Sequence, residues 1–312
     1  MNITTQLKNN LKNGLKLMAE DAKIKNYYLN SYNENIFKGG MPIHFQTMFM
    51  RGSGNELKDH ARAIFSSSML AYNCFHWIDK KHPFDYDGVK YTEVYFETQL
   101  WTLKSSKGSP ANMDVVLLGK KGKETHVLFI ESKLSEFFKN TDFKLSPSYY
   151  KEGNSFCEKE SRLEDFAKHV EDVWKEGSRS GYWEGVKQGV THIFGIFNVL
   201  NNDDAYDFFK TQIKNHKSSS IISESKDKLK AHFVNLLFDY QDDDHYIQYK
   251  KLYEETIIKS ETIIKSSHNL IDNVRVVRYS ELWNSMKNQI DNNDLKDYLW
   301  QRYMKYVEGA EQ

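Results

Sequence analysis

Two short apolar runs stand close together in the 312-residue chain, MDVVLL at 113–118 and HVLFIE at 126–131. Runs this short and this continuously apolar suit strands buried on both faces of a sheet. Between them lies a polar stretch rich in Lys and Gly, from Gly119 to Glu124, and a hairpin is the simplest connection. A hairpin covered on both faces needs helices above and below it. That requirement constrains the chain to a layered α/β architecture.

The flanking pattern supplies the layers. Residues 91–103 alternate, with Thr92, Val94, Phe96, Thr98 and Leu100 on one side and Glu93, Tyr95, Glu97, Gln99 and Trp101 on the other, so a third strand precedes the hairpin. Leu7, Leu11, Leu15 and Met18 predict an N-terminal helix packed on the domain's own core, and Gly39, Gly40 and Pro42 break the chain after it. Ser53 and Glu56 have capping-box spacing. Behind them Leu57, Ala61, Ile64, Ser68, Ala71, Phe75 and Ile78 predict one long helix, ended by Lys80, Lys81 and Pro83.

Downstream, residues 134–160 have weak periodicity and read as a loop. Helices are expected over Leu163–Val173 and from Tyr182 to about Leu200, with a strand from Thr191 as the alternative to the second. An exposed loop at 217–229, a strand from His232 to Tyr240, a helix from Tyr246 to Lys265, a strand from Val274 to Tyr279 and a helix from Leu295 to Tyr306 complete the reading. The sequence ETIIKS occurs at 255–260 and again at 261–266, a period that fits neither helical nor heptad spacing and so reads as a local duplication. The expected organisation is a helical extension over 1–52 packed on a single α/β domain over 53–312, with helices on both faces of a mixed sheet.

Composition narrows the function. The 43 basic and 43 acidic side chains cancel, which excludes a histone-like coat for nucleic acid but leaves room for a local basic groove. No apolar run reaches membrane-helix length, and the N-terminus lacks the apolar stretch of a signal peptide. Cys74 and Cys157 form no metal-binding spacing or disulfide framework. A reduced, cytoplasmic protein with no membrane partner is the expectation. Gly52-Ser53-Gly54 is not followed by a P-loop lysine, and neither H-E-x-x-H nor G-x-S-x-G occurs.

The hairpin carries the chemistry. Glu131 and Lys133 are two apart on one strand and point to one face. Pairing Leu118 with Val127 puts Val116 opposite Phe129 and Asp114 opposite Glu131. Two opposed carboxylates at the end of apolar strands repel each other, and their burial raises the cost. A divalent cation reverses that cost, and hard oxygen ligands suit Mg²⁺ or Mn²⁺. Such an ion, held by Asp114 and Glu131, polarises a phosphodiester and acidifies a bound water, while Lys133 orients that water or stabilises developing negative charge.

The string Pro110-Ala111-Asn112-Met113-Asp114, then a hairpin, then Glu131-Ser132-Lys133 resembles the PD-(D/E)xK nuclease superfamily. More narrowly, it is similar to bacterial restriction-endonuclease-like proteins with a P-A-N-x-D … I-E-S-K pattern. The resemblance implies a core of helix, three strands, helix and strand, which matches the element order read over residues 54–240. It implies a Mg²⁺-dependent deoxyribonuclease, with Asp114 and Glu131 as metal ligands and Lys133 as catalytic lysine. Pro110 stands four residues before Asp114 where the superfamily name pairs them, a loose feature of the group. Members often add an upstream acid. Glu97 is the first choice for a third ligand, Glu93 shares its face, and Glu56 with His60 one turn later is the other option. Gln188 occupies the position of a glutamine some relatives use after the third strand.

Blander readings stand beside these. A D…ExK string can be a surface ion pair, Glu56 a helix cap, and His60 and His192 core or surface histidines. Asp242-Asp243-Asp244 suits the start of a helix. Tyr149, Tyr150, Tyr182 and Trp183 can stack on bases, though core packing is the stronger prior. Residues 104–151 hold nine lysines against five carboxylates, and Lys120, Lys121 and Lys123 cluster in the hairpin turn, where a phosphate backbone would meet them. The expected partner is DNA, and a palindromic target would imply a two-fold homodimer. The rivals are a structure-selective exonuclease or resolvase, and a non-catalytic binding module on the same fold.

Overall fold

The computed structural model describes residues 3–18, 22–52, 56–103, 109–135, 145–146, 149, 161–176, 183–214, 222, 226, 229–240, 243–258 and 271–312. Its centre is a six-stranded mixed sheet in the order β1-β2-β3-β4-β5-β6. The strands are β1 (Phe84–Tyr86), β2 (Val89–Leu100), β3 (Ala111–Lys121), β4 (Glu124–Lys133), β5 (Leu229–Leu237) and β6 (Ile271–Arg278). The first four form an antiparallel meander, and β5 and β6 then add in parallel. Parallel neighbours need long crossovers. Helices α4 (Ser161–Glu176), α5 (Trp183–Asn201) and α6 (Asp203–Lys214) lie in the first of these, and α7 (Asp243–Tyr253) lies in the second.

The hairpin has the expected register, with Leu118 opposite Val127 and Val116 opposite Phe129. Its turn is tighter than the polar stretch implied. Lys121 pairs with Glu124, and Gly122 takes the positive φ of 60° that a two-residue turn requires. On β4, Ser132 faces helix α3 (Ser67–Phe75), where its Oγ donates to the Ser67 carbonyl at 3.2 Å. Glu131 and Lys133 face the opposite way, toward α5. The alternation of a strand thus assigns the catalytic candidates to the face that α5 covers.

The long helix expected from Ser53 to Ile78 is not formed. The chain runs instead through turns and a 3₁₀ segment (His60–Arg62) before α3 begins. Tertiary hydrogen bonds take the carbonyls that a continuous helix would need. Asn35 Nδ2 donates to the Ala61 and Ala63 carbonyls at 2.9 and 2.7 Å, and Arg302 donates to the Ile64 carbonyl at 2.8 Å. Ser66 then caps α3 by accepting from the Met69 amide. Ser53, half of the expected capping box, lies outside the described residues.

Strand β2 stops at Leu100, short of the expected residue 103, because Asn198 Nδ2 on α5 takes the Trp101 and Leu103 carbonyls at 2.8 and 2.9 Å. Residues 191–201 take the helical alternative, within α5. Helix α7 widens into a π turn (Glu254–Ile258), and the second ETIIKS lies outside the described residues, as do most of the loops expected at 134–160 and 217–229. Helices α2 (Ile43–Arg51), α6 and α8 (Tyr279–Met286) and the short strand β1 were not anticipated. The closing helix α9 (Asn293–Arg302) packs on α1 (Ile3–Met18), whose Leu7, Leu11 and Leu15 are buried. One apolar core runs from Leu7 to Val307 and joins both termini to the sheet. Among the described residues, no helix is long and apolar enough to cross a membrane.

Candidate active site

Strands β3 and β4 part where the site begins. Their ladder ends at the pair Val115–Ile130. Beyond it the Asp114 carboxylate substitutes for the missing rung and accepts from the Ser132 amide at 2.7 Å. Glu131 and Lys133 follow on β4, buried at 3% and 4% exposure, with Lys133 Nζ donating to Glu131 Oε1. Glu97 sits on β2 in the register position facing Asp114, again buried. Its φ is +49°, in the left-handed region that non-glycine residues seldom enter, at a cost of about 1–3 kcal/mol. Gly52 makes room for it, since a Cβ there would stand 3.1 Å from Glu97 Oε2.

These side chains line one cleft of about 610 Å³ together with Glu56, His60, Gln188 and His192. Glu56 is held by Ser68, whose hydroxyl donates to its Oε1. Glu93 is not among the lining residues, and it accepts from the Tyr95 hydroxyl at 2.8 Å. Of the three acids open at the sequence level, Glu97 and Glu56 therefore reach the cleft. Lys120, Lys121 and Lys123 do not. They are exposed at the other end of the hairpin, about 20 Å from Asp114 for six strand residues. Tyr149 is committed to packing, stacked on Phe194 at 5.1 Å with its hydroxyl on Thr102. Tyr150, Tyr182 and the Trp183 side chain lie outside the described residues.

The electrostatics are those of crowded acids. Burial, then the neighbouring Glu56 and Glu131, pushes the Glu97 carboxyl well above the usual carboxylate range, and Lys133 offsets part of this. Burial and Glu131 do the same to Asp114, against the pull of Lys133. Glu131 Oε2 is buried without a hydrogen-bond partner. Such an arrangement is costly for the empty protein and favourable for one that holds a cation. Among the described residues, no three His, Cys, Asp or Glu side chains converge closely enough to hold a metal ion by themselves.

His192 is the residue whose place the sequence understated. Its Nε2 donates to the Asn112 carbonyl at 3.1 Å and lies 3.5 Å from Glu131 Oε2. Burial lowers its pKa. Gln188, one turn earlier on α5, turns a buried and unpartnered Oε1 to the same region. The four-residue spacing of these two was visible in the sequence and places both on one helix face.

A strand-end cleft of acids and one lysine thus lies on a mixed α/β sheet. A family model described as "Restriction Endonuclease associating with ARP" matches residues 3–304, and the chain belongs to that family. No curated protein and no solved structure matches the chain.

Proposed function

We propose that this chain is a metal-dependent nuclease that hydrolyses phosphodiester bonds of DNA. The observation that carries the reading is the convergence of Asp114, Glu131 and Lys133 at the end of the hairpin, in one cleft with Glu97. The element order, α3, then β1–β4, then α4–α6, then β5, contains within it the helix, three strands, helix and strand that the motif implies. Asp114 and Glu131 would hold Mg²⁺ or Mn²⁺, with Glu97 as the third acidic group. The ion would supply a polarised phosphoryl oxygen and an acidified water. Lys133 would orient the attacking water and stabilise charge on the pentacovalent phosphorus. Glu131 keeps Lys133 in place through their ion pair, and Gln188 would contact the substrate on the α5 side. Lys120, Lys121 and Lys123 would meet the backbone of DNA that extends beyond the cleft.

Supercoiled plasmid tests the reading directly. Nicking in Mg²⁺ or Mn²⁺ that is abolished by EDTA and by Lys133→Ala is expected. Cleavage that persists in either control would remove the assignment. The family description names association with ARP, so the assay is to be run with and without that partner.

A further inference from the structure

Tyr28 stands out on the wall of the same cleft. It is 45% exposed, among the few large apolar side chains so open, and it lines the cleft with Glu97, Asp114, Glu131 and Lys133. The backbone that presents it is built with strain. Asn26 and Tyr27 form the loop of a tight hairpin closed by reciprocal Lys25–Tyr28 hydrogen bonds of 2.9 Å, and both have positive φ, 49° and 66°. Asn is at home in such a turn. A bulky aromatic at positive φ is an outlier.

Neighbouring groups hold the outlier in place. The Tyr27 hydroxyl donates to Asn9 Oδ1 at 2.8 Å, and the Tyr27 carbonyl accepts from the Ile64 amide at 3.0 Å. Arg62 Nε donates to the Leu29 carbonyl on the other side. Phe65 meets Tyr28 in a T-shaped contact at 6.0 Å and 75°, which engages at most one face of the Tyr28 ring. The result is an aromatic face fixed beside the acidic groups and left open. Strain retained at a cleft is a pointer to function.

The cleft also lacks the usual means of holding a polyanion. Among its described lining residues Lys133 is the single ammonium or guanidinium, and it is paired with Glu131. Four carboxylates face it. Without a metal ion, phosphate contacts alone hold a strand weakly here, whereas the π face of a base is indifferent to that charge.

We propose that Tyr28 is a stacking platform for an unpaired base beside the scissile phosphate. The cleft then takes DNA with a single-stranded, frayed or extruded nucleotide. The inference rests on the nuclease reading and specifies its substrate class.

Equilibrium binding of short labelled oligonucleotides in EDTA tests it without hydrolysis. Wild-type protein should bind a single strand more tightly than the matched duplex. Tyr28→Ala should weaken single-strand binding about tenfold, the worth of one stacked base, and Tyr28→Trp should restore it. An oligonucleotide with an abasic site at the stacked position should bind wild-type protein more weakly by the same factor, and Tyr28→Ala with no further weakening. Unchanged thermal melting of Tyr28→Ala confirms that the effect is local. Equal binding by wild type and Tyr28→Ala, or a wild-type preference for intact duplex, overturns the stacking proposal while metal-dependent plasmid cleavage keeps the nuclease reading. Absence of both DNA binding and cleavage overturns the two together.

Discussion

Two regions of this protein bury charge in opposite ways. Near the termini Arg302 is fully buried. Its guanidinium donates to the Leu11 carbonyl at 2.6 Å, to Asn35 Oδ1 at 3.0 Å and to the Ile64 carbonyl at 2.8 Å. Its ring partner Tyr303 lies 4.6 Å away. One cation thereby fastens α1, the 3₁₀ turn at Asn35, the stretch before α3 and α9. At the strand ends, by contrast, Glu97, Asp114 and Glu131 crowd one another, with Lys133 as the cation among them. Neutral acceptors gathered around a cation are a stable solution. Acids gathered around acids are costly unless they take up protons or a cation. The first arrangement holds the fold together, and the second is the site proposed for chemistry.

The sharpest break in this comparison is Asp114→Asn. An amide can still accept from Ser132 but carries no charge for a metal ion. Plasmid cleavage should fall at least about 100-fold, while stability in denaturant stays at or above that of the wild type because a repulsion has gone. A folded, inactive protein by circular dichroism and gel assay is the expected pair of results. A large drop in stability would mean that the acid is structural.

Arg302→Met should do the reverse. The apolar stem is kept, but three acceptors are left without their donor, at a cost of about 3–5 kcal/mol. Urea unfolding should show the destabilisation, and activity per folded molecule should be unchanged. Reduced activity in fully folded protein would connect this hub to the cleft.

A third buried charge lies between the two cases. Burial pushes Asp239 up to about 6, although the Ser280 hydroxyl donates to it at 2.7 Å. Its pKa is higher folded than unfolded, so its stabilising contribution is complete below about pH 4 and disappears as pH rises through 6. The ionised form should cost on the order of 2–3 kcal/mol. Asp239→Asn should therefore gain on the wild type across that window and stay level above it. Unfolding measured at several pH values checks the difference, and a flat difference would show that Asp239 is not the titrating group.

The hairpin itself was readable from sequence because its information is local. Apolar runs, a Gly turn and period two fix the register as far as Val115 opposite Ile130, one step short of the expected Asp114–Glu131 pair. What was not readable depends on distant partners. The pattern from Leu57 to Ile78 is helical to the eye, yet Asn35 and Arg302, far away in sequence, claim its carbonyls. The positive φ of Glu97 and the approach of His192 to Glu131 also arise from packing between β2, β4 and α5. Tyr28 was invisible for a similar reason, since nothing in the residues around it reports that they fold against the cleft.

The smallest expected effect concerns the three lysines. Sequence proximity joined Lys120, Lys121 and Lys123 to the site, but the strands carry them about 20 Å from Asp114. Their exposed ammoniums are beyond a Debye length of the reacting phosphate and cannot stabilise its transition state. They can still meet the backbone of a long substrate. Replacing all three with Ala should leave kcat unchanged and raise KM a few-fold at low salt. The salt dependence of binding should become shallower by about 0.7–0.9 in log–log slope for each phosphate that is no longer neutralised. A short oligonucleotide confined to the cleft should show no effect at all. A fall in kcat on that short substrate would mean that the hairpin turn folds back toward the chemistry, and the division between the two ends of β3 would have to be redrawn.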